Sequence, residues 1–524
     1  MARSAQPVRP AVPAGAVAAA LAVMLTLAPL AAVMWRAEAP GGLGPADWAA
    51  IRFSVWQALI SAALSVALAI PVVRALARQS FAGRGLLVML LGAPFILPVI
   101  VAIFGLLAVF GQNGLLRYVT DLIGLPPIRI YGLHGIVLAN VFFNLPLATR
   151  LLLQGWQAIP SERFRLAASL GMDRAEIHRF LERPMLREAA PGALAIIFLV
   201  CTTSFAIALA LGGGPRATTV ELAIYQAFRF DFDLAKAALL AGVQFLITLI
   251  AALISFRFSV PAVLGAGLDR DLRRWDAQSG WPRALDAAAI AAAALFLLLP
   301  LTMVVLRGAP AIAGIGPDVW QAALRSLIVA VAAAGLTVGL ALALSTASTA
   351  SRLRPVRRGY EAAGYLGIAI SPLVIGTGLY VMIFPFANPV GLALPVTVLV
   401  NAALALPFAL RILLPAVQAT ERDFGRLADS LALTGITRLR WLLLPRLRRP
   451  LGFAAGLSAA LSMGDLGVIA LFADPRQATL PLEMYRLMAA YRTEDAAGAA
   501  LLLLILSLAL FWLFDRGGRI NADA

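Results

Sequence analysis

The chain has 524 residues, of which 61% are hydrophobic and 13% charged, and its formal net charge is +16. A soluble domain carries about a quarter charged residues, so this composition excludes a soluble enzyme. The single cysteine, Cys201, excludes an intramolecular disulfide, and His134 and His178 lack metal-ligand spacing, so neither a metal nor a cofactor site is expected.

Apolar runs of bilayer-spanning length recur along the chain. In order they are 14–34, 54–73, 86–110, 132–153, 189–211, 235–256, 285–306, 322–345, 361–386, 391–414, 450–472 and 496–514. Arg3 and Arg9 precede the first, but its apolar core, Ala14 to Val33, exceeds the 7–15 residues of a signal-peptide core. An uncleaved first span is expected. Backbone groups must be satisfied inside lipid, so the expected fold class is an all-α integral membrane protein with about twelve transmembrane helices. The expected domains are a first six-helix half, 1–258, a cytoplasmic linker, 259–284, and a second half, 285–524.

A polar segment interrupts these runs twice, 261 residues apart. Asn140, Leu145-Pro146, Arg150, Gln157, Arg165-Leu166-Ala167, Ser169-Leu170 and Pro184 return as Asn401, Leu406-Pro407, Arg411, Gln418, Arg426-Leu427-Ala428, Ser430-Leu431 and Pro445. Six spans per half give both copies one orientation, so two parallel repeats and a pathway between them are expected. Arginines crowd the segments 160–187 and 421–449. Each arginine at a bilayer centre costs about 2.5–3.5 kcal/mol, so neither segment spans. Phe424, Leu427, Ala428 and Leu431 nevertheless keep helical spacing, as do Phe164, Ala167, Ala168 and Gly171. Each segment therefore reads as a short cytoplasmic helix that either lies on anionic lipid or fits a groove on a partner. Duplication favours the partner, with the small residues Ala167, Gly171, Ala428 and Ala432 as the contact.

Most other cations follow the same side, and the opposite loops hold fewer, mixed with Asp47, Asp121, Asp231, Asp233, Asp318, Asp474, Glu494 and Asp495. With the N-terminus in the cytoplasm, Arg74, Arg78, Arg84, Arg257, Arg270, Arg273, Arg274, Arg352, Arg354, Arg357, Arg358, Arg516 and Arg519 all fall inside. The positive-inside bias accounts for the charge without nucleic acid and puts both termini in the cytoplasm.

Asp465, between Gly464 and Gly467, is the notable acid within a span. It has two readings: an anion on a cation path, or an acceptor for backbone amides at a helix break. Asn140, Asn144, Asn401, Thr202, Thr203, Ser204 and Ser462 are candidate pathway residues, or joints that hydrogen-bond helices together. The outer segments 215–234 and 474–494 are candidate contacts for an external partner. Gln112 to Ile130, longer in the first half, reads as a variable outer loop.

With these residues in view, the chain resembles the permease subunits of binding-protein-dependent ABC importers that carry both pore halves in one polypeptide. Their loop signature is Glu-Ala-Ala, three residues, Gly, then Leu-Pro some twelve residues later. Ala167, Leu170, Gly171 and Pro184 match it in the first copy, and Ala428, Leu431 and Leu444-Pro445 in the second. Arg165 and Arg426 stand at the acidic position, Ala432 replaces the second glycine and Arg183 the first leucine. The chain is similar, more narrowly, to thiamine-transporter permeases. That similarity runs through Thr203-Ser204-Phe205-Ala206, Leu211 to Gln226, Ser462 to Phe472, Thr479-Leu480-Pro481 and Tyr485. The resemblance implies an inner-membrane pore for thiamine or its phosphates, served by a periplasmic binding protein and two copies of an ABC ATPase. Ala167, Leu170, Gly171, Pro184, Ala428, Leu431, Ala432 and Pro445 would then couple to the ATPase. Fused permeases for ferric iron share the architecture and part of the motif, so another small solute stays open. No Gly-x4-Gly-Lys-Ser/Thr is present, so ATP is expected on partner subunits. An ion-coupled secondary transporter is the competing class. Its large facilitator family places a basic loop between spans two and three, where this chain has only Arg74 to Gly85.

Overall fold

The computed structural model describes residues 11–36, 42–91, 96–124, 126, 130–212, 214–257, 280–472 and 475–519. Among these residues there is no strand, and eleven helices are long and apolar enough to cross a membrane, or twelve if one bent pair counts as a span. The linker expected at 259–284 lies largely outside the described residues; its last five, 280–284, are already helical.

The principal helices are α1 (Ala11–Arg36), α2 (Pro45–Arg78), α3 (Val99–Phe110), α4 (Leu133–Gln157), α5 (Ser161–Ser169), α6 (Arg183–Thr202), α7 (Val220–Arg229) and α8 (Leu234–Arg257). In the second half come α9 (Gly280–Ala311), α10 (Pro317–Ala350), α11 (Pro372–Ile383), α12 (Ala393–Ser430), α13 (Leu444–Met463), α14 (Leu480–Ala489) and α15 (Thr493–Arg519). Helices α2 and α10 are both 34 residues long and begin alike, with a glycine N-cap, proline at the first helical position and an acid in the first turn. Proline there loses no hydrogen bond and presets φ, while Asp47 and Asp318 oppose the positive helix end.

Four expected spans are interrupted, the run 86–110 dividing into Arg84–Leu90 and α3. The run 361–386 bends by 97° between the helical segment Arg354–Ile368 and α11. Pro372 cannot continue the preceding helix, and the Ser371 hydroxyl accepts from Leu373 N to start a new one. The run 189–211 divides into α6 and Phe205–Leu211, and 450–472 into α13 and Gly467–Phe472. Within the expected outer loop 112–130, Leu115–Leu122 is helical.

The first helix of each half packs against the other half. Gly378 of α11 lies so close to α1 that a Cβ would fall 2.2 Å from the Pro29 carbonyl oxygen. Reciprocally, a Cβ on Gly105 of α3 would fall 2.6 Å from the Pro300 carbonyl oxygen of α9. Prolines within α1 and α9 and glycines facing them thus permit backbone-to-backbone approach. A buried ion pair between Arg78 of α2 and Asp286 of α9 adds a polar tie, and Gln79 donates to the same carboxylate at 3.0 Å.

Candidate functional site

The duplicated Arg-rich segments adopt one backbone course twice. Two residues beyond the end of α5 stands Gly171, with φ of +65°, and two beyond the end of α12 stands Ala432, with φ of +53°. Gly171 N donates to Ala168 O and Met172 N to Ala167 O; Ala432 N donates to Asp429 O and Leu433 N to Ala428 O. This is the paired-bond helix stop that a left-handed residue permits. A short turn follows, then a π-helical segment, His178–Glu182 in one copy and Leu439–Leu443 in the other. Pro184 and Pro445 sit just beyond, exposed, at the second position of α6 and α13. A proline lacks its amide and crowds the carbonyl four residues back, so widening the preceding turn accommodates it. Neither segment, 160–187 or 421–449, is the single short helix expected; each breaks at the left-handed residue. The second is also the end of the 38-residue α12 rather than a separate helix.

The exposed face differs from the one expected. Ala167 and Ala428 are turned inward, each 2% exposed, because the helix flank carrying Phe164 and Ala167 packs on the bundle. Phe164 joins a core with Trp156, Ile159 and Ile177. Outward stand Leu166 and Leu170 in one copy and Leu427 and Leu431 in the other, all between 57% and 63% exposed. Gly171 and Ala432 remain exposed beside them.

The two copies are braced differently. Arg438, 6% exposed, donates to Glu421 at 3.0 Å through Nε and to Asp429 at 2.7 Å through Nη1. It ties the turn after Ala432 back onto α12. In the first copy the position 261 residues earlier is Ile177, buried in apolar contact. There the polar brace is Glu182, fully buried, 3.1 Å from Arg74 of α2 and from His178. Arg438 therefore does more than keep its segment out of lipid.

Of the candidate pathway residues, Asn140 donates to Gln57 at 2.9 Å and approaches Ser61 at 3.4 Å, joining α4 to α2. Asn401 donates to Ser462 at 2.9 Å, joining α12 to α13. Thr203 and Ser204 form the break after α6, and their hydroxyls return to the Val200 and Cys201 carbonyls. Asp465 forms the matching break after α13 and accepts from Gly467 N at 3.2 Å, while its Oδ2 is buried without a partner. The two breaks meet. A Cβ on Gly467 would lie 3.8 Å from the Phe205 ring and 3.6 Å from Pro372, and one on Gly464 would lie 3.1 Å from Pro98.

The outer segments 215–234 and 474–494 are only partly surface. Their helices α7 and α14 each bury one face, and their first amides are held from below: Val220 N by Ser54 and Leu480 N by Ser326, both at 2.8 Å. Glu221, at the start of α7, is fully buried and accepts from the Ser371 hydroxyl of the opposite half. Sequence reasoning assigned Glu221 no role; the position 261 residues later holds Leu482, so the duplication gives no signal for it.

No protein-family model matches the chain. It is 40% identical over 517 residues to the thiamine transport system permease protein ThiP of Brucella abortus, covering 96% of this chain and 95% of that protein. The protein of that name from Salmonella typhimurium is 40% identical over 519 residues, covering 96% of both chains. The one from Escherichia coli is 39% identical over 526, covering 97% of both. By this end-to-end similarity the chain belongs to the family of thiamine transport system permease proteins, the fused membrane subunits of ABC importers.

Proposed function

We propose that this chain is the pore through which a periplasmic binding protein delivers thiamine, powered by two copies of a separate ABC ATPase. The observation that carries this reading is the full-length similarity to thiamine permeases. The duplicated left-handed turns support the mode of coupling. Each offers a pair of exposed leucines one helical turn apart, Leu166 with Leu170 and Leu427 with Leu431, suited to a groove on an ATPase. Leu170, Gly171, Leu431 and Ala432 form the contact; Ala167, Pro184, Ala428 and Pro445 shape the backbone that presents it. The two halves are parallel repeats about an axis along the membrane normal, and ATPase closure draws the two turns together and rocks the halves. The protein lies in the bacterial inner membrane with both termini in the cytoplasm, a placement supported by the arginine distribution. Phe230, Phe232 and Tyr491, exposed at the far ends of α7 and α14, face the binding protein.

Co-purification with the ATPase tests this directly. Leu170→Asp and Leu431→Asp each place an unpaired charge in an apolar contact and are expected to weaken ATPase retention at least tenfold, with membrane insertion unchanged. The double variant should retain none. Retention at wild-type levels in the double variant would refute coupling at these turns. A wild-type complex whose ATP hydrolysis is unmoved by thiamine-loaded binding protein would refute thiamine as cargo.

A further inference from the structure

We propose that Glu221 and Asp465 together form a transit site for a ring-bearing organic cation at the seam between the halves. This rests on the import reading and adds to it a defined site within the pore. Glu221 is fully buried; one carboxylate oxygen accepts from Ser371, and Oε2 has no partner. Asp465 likewise accepts from the Gly467 amide through Oδ1, the Val468 and Ile469 amides and the Asn401 side chain also face its carboxylate, and Oδ2 is buried. Neither has an arginine, lysine or histidine within ion-pair distance among the described residues. The charged form of a buried acid held only by neutral donors is costly, and a cation brought beside it offsets that cost.

The two acids reach one junction from opposite halves. Glu221 bonds Ser371, the neighbour of Pro372, while Pro372, Phe205 and Asp465 Oδ1 all flank Gly467 within 3.8 Å of its Cβ position. One ring, Phe205, flanks this junction, and others lie farther along the helices that meet there. Phe205 lies 5.4 Å from Tyr225, and Tyr380 lies 4.4 Å from Phe228 and 5.5 Å from Phe472, between centroids. Carboxylates beside aromatic faces suit a delocalised cation, attracted by both. The acids are also unrepeated. The positions 261 residues from them hold Leu482 and Ser204, so the pseudo-symmetric molecule carries one such site, as a single pathway requires. The thiazolium ring of thiamine is a permanent cation of this class.

The test uses the complete complex with its ATPase. Equilibrium binding of radiolabelled thiamine, without binding protein, is compared for wild type, Glu221→Gln and Asp465→Asn. Each neutral variant is expected to bind at least tenfold more weakly, while Asp465→Glu, which keeps the charge, stays within threefold of wild type. Thiochrome, the uncharged oxidised form of thiamine, should not displace the label. Wild-type affinity in both neutral variants, or displacement by thiochrome as effective as by thiamine, would overturn the site. In proteoliposomes with binding protein, both neutral variants should lose at least nine-tenths of uptake, while Asp465→Glu keeps uptake within threefold of wild type. Loss of uptake in Asp465→Glu equal to that in Asp465→Asn would reduce the acid to a structural part and overturn the proposal as well. Absence of thiamine uptake by wild type would instead overturn the import reading.

Discussion

At the scale of single residues, repetition was the most legible signal and its departures the most instructive. Ala432 stands where the first copy has Gly171, yet it holds the same left-handed conformation. An L-residue there costs roughly 1–2 kcal/mol through its Cβ, whereas glycine adopts it freely. Gly171→Ala is therefore expected to destabilise its turn by about 1 kcal/mol, seen as about fivefold faster hydrogen exchange at the Met172 amide. Ala432→Gly should leave the Leu433 amide equally protected or slow its exchange. Faster exchange in Ala432→Gly would show that the turn is not conformationally strained. Asn140 and Asn401 could be found from the sequence as matched polar residues in apolar runs, but their partners could not. Gln57 and Ser462 come from different helices, and no spacing relates them. The direction of Ala167 and Ala428 was also illegible, because helical periodicity identifies two faces without saying which one meets the bundle.

At the scale of elements, apolar length located nearly every span, while helix breaks escaped it. Hydropathy runs unbroken through Thr203-Ser204 and Gly464-Asp465, because short polar residues that bond their own backbone add little to a window average. The interruption at Ser371-Pro372 was marked by proline but reads equally as a kink. Contacts between elements of distant sequence were hidden altogether. The Arg78–Asp286 pair is the main case: both residues sit at helix ends that sequence places beside the cytoplasm, where charges are expected to be solvated. In the structure their side chains are only 5% and 7% exposed. Removing one partner of a buried pair strands the other, at a cost of about 3–5 kcal/mol. Asp286→Ala should accordingly lower the unfolding midpoint of the detergent-solubilised protein markedly, and the double change Arg78→Met with Asp286→Leu should recover most of the loss. A double variant no more stable than Asp286→Ala would mean that the pair does not act as a unit.

At the scale of the whole molecule, the division of the sequence at the linker differs from the division of the packing. Helix α1 belongs by sequence to the first half, yet it lies along α10 and α11, where a Cβ on Gly15 would fall 2.1 Å from Ala347 Cβ. Helix α9 belongs to the second half and lies along α2 and α3 as well as α15. Each half therefore lends one helix to cover the other. Two fragments, 1–257 and 280–524, should assemble when produced together and be recovered through a tag on either. The fragment 280–524 produced alone leaves the α1-facing sides of α10 and α11 uncovered and should be cleaved rapidly in limited proteolysis. Adding 1–257 should protect it, and adding 42–257, which lacks α1, should not. Protection by 42–257 equal to that by 1–257 would mean that the second half closes without the borrowed helix, and the exchange would then have no part in holding the two-lobed pore together.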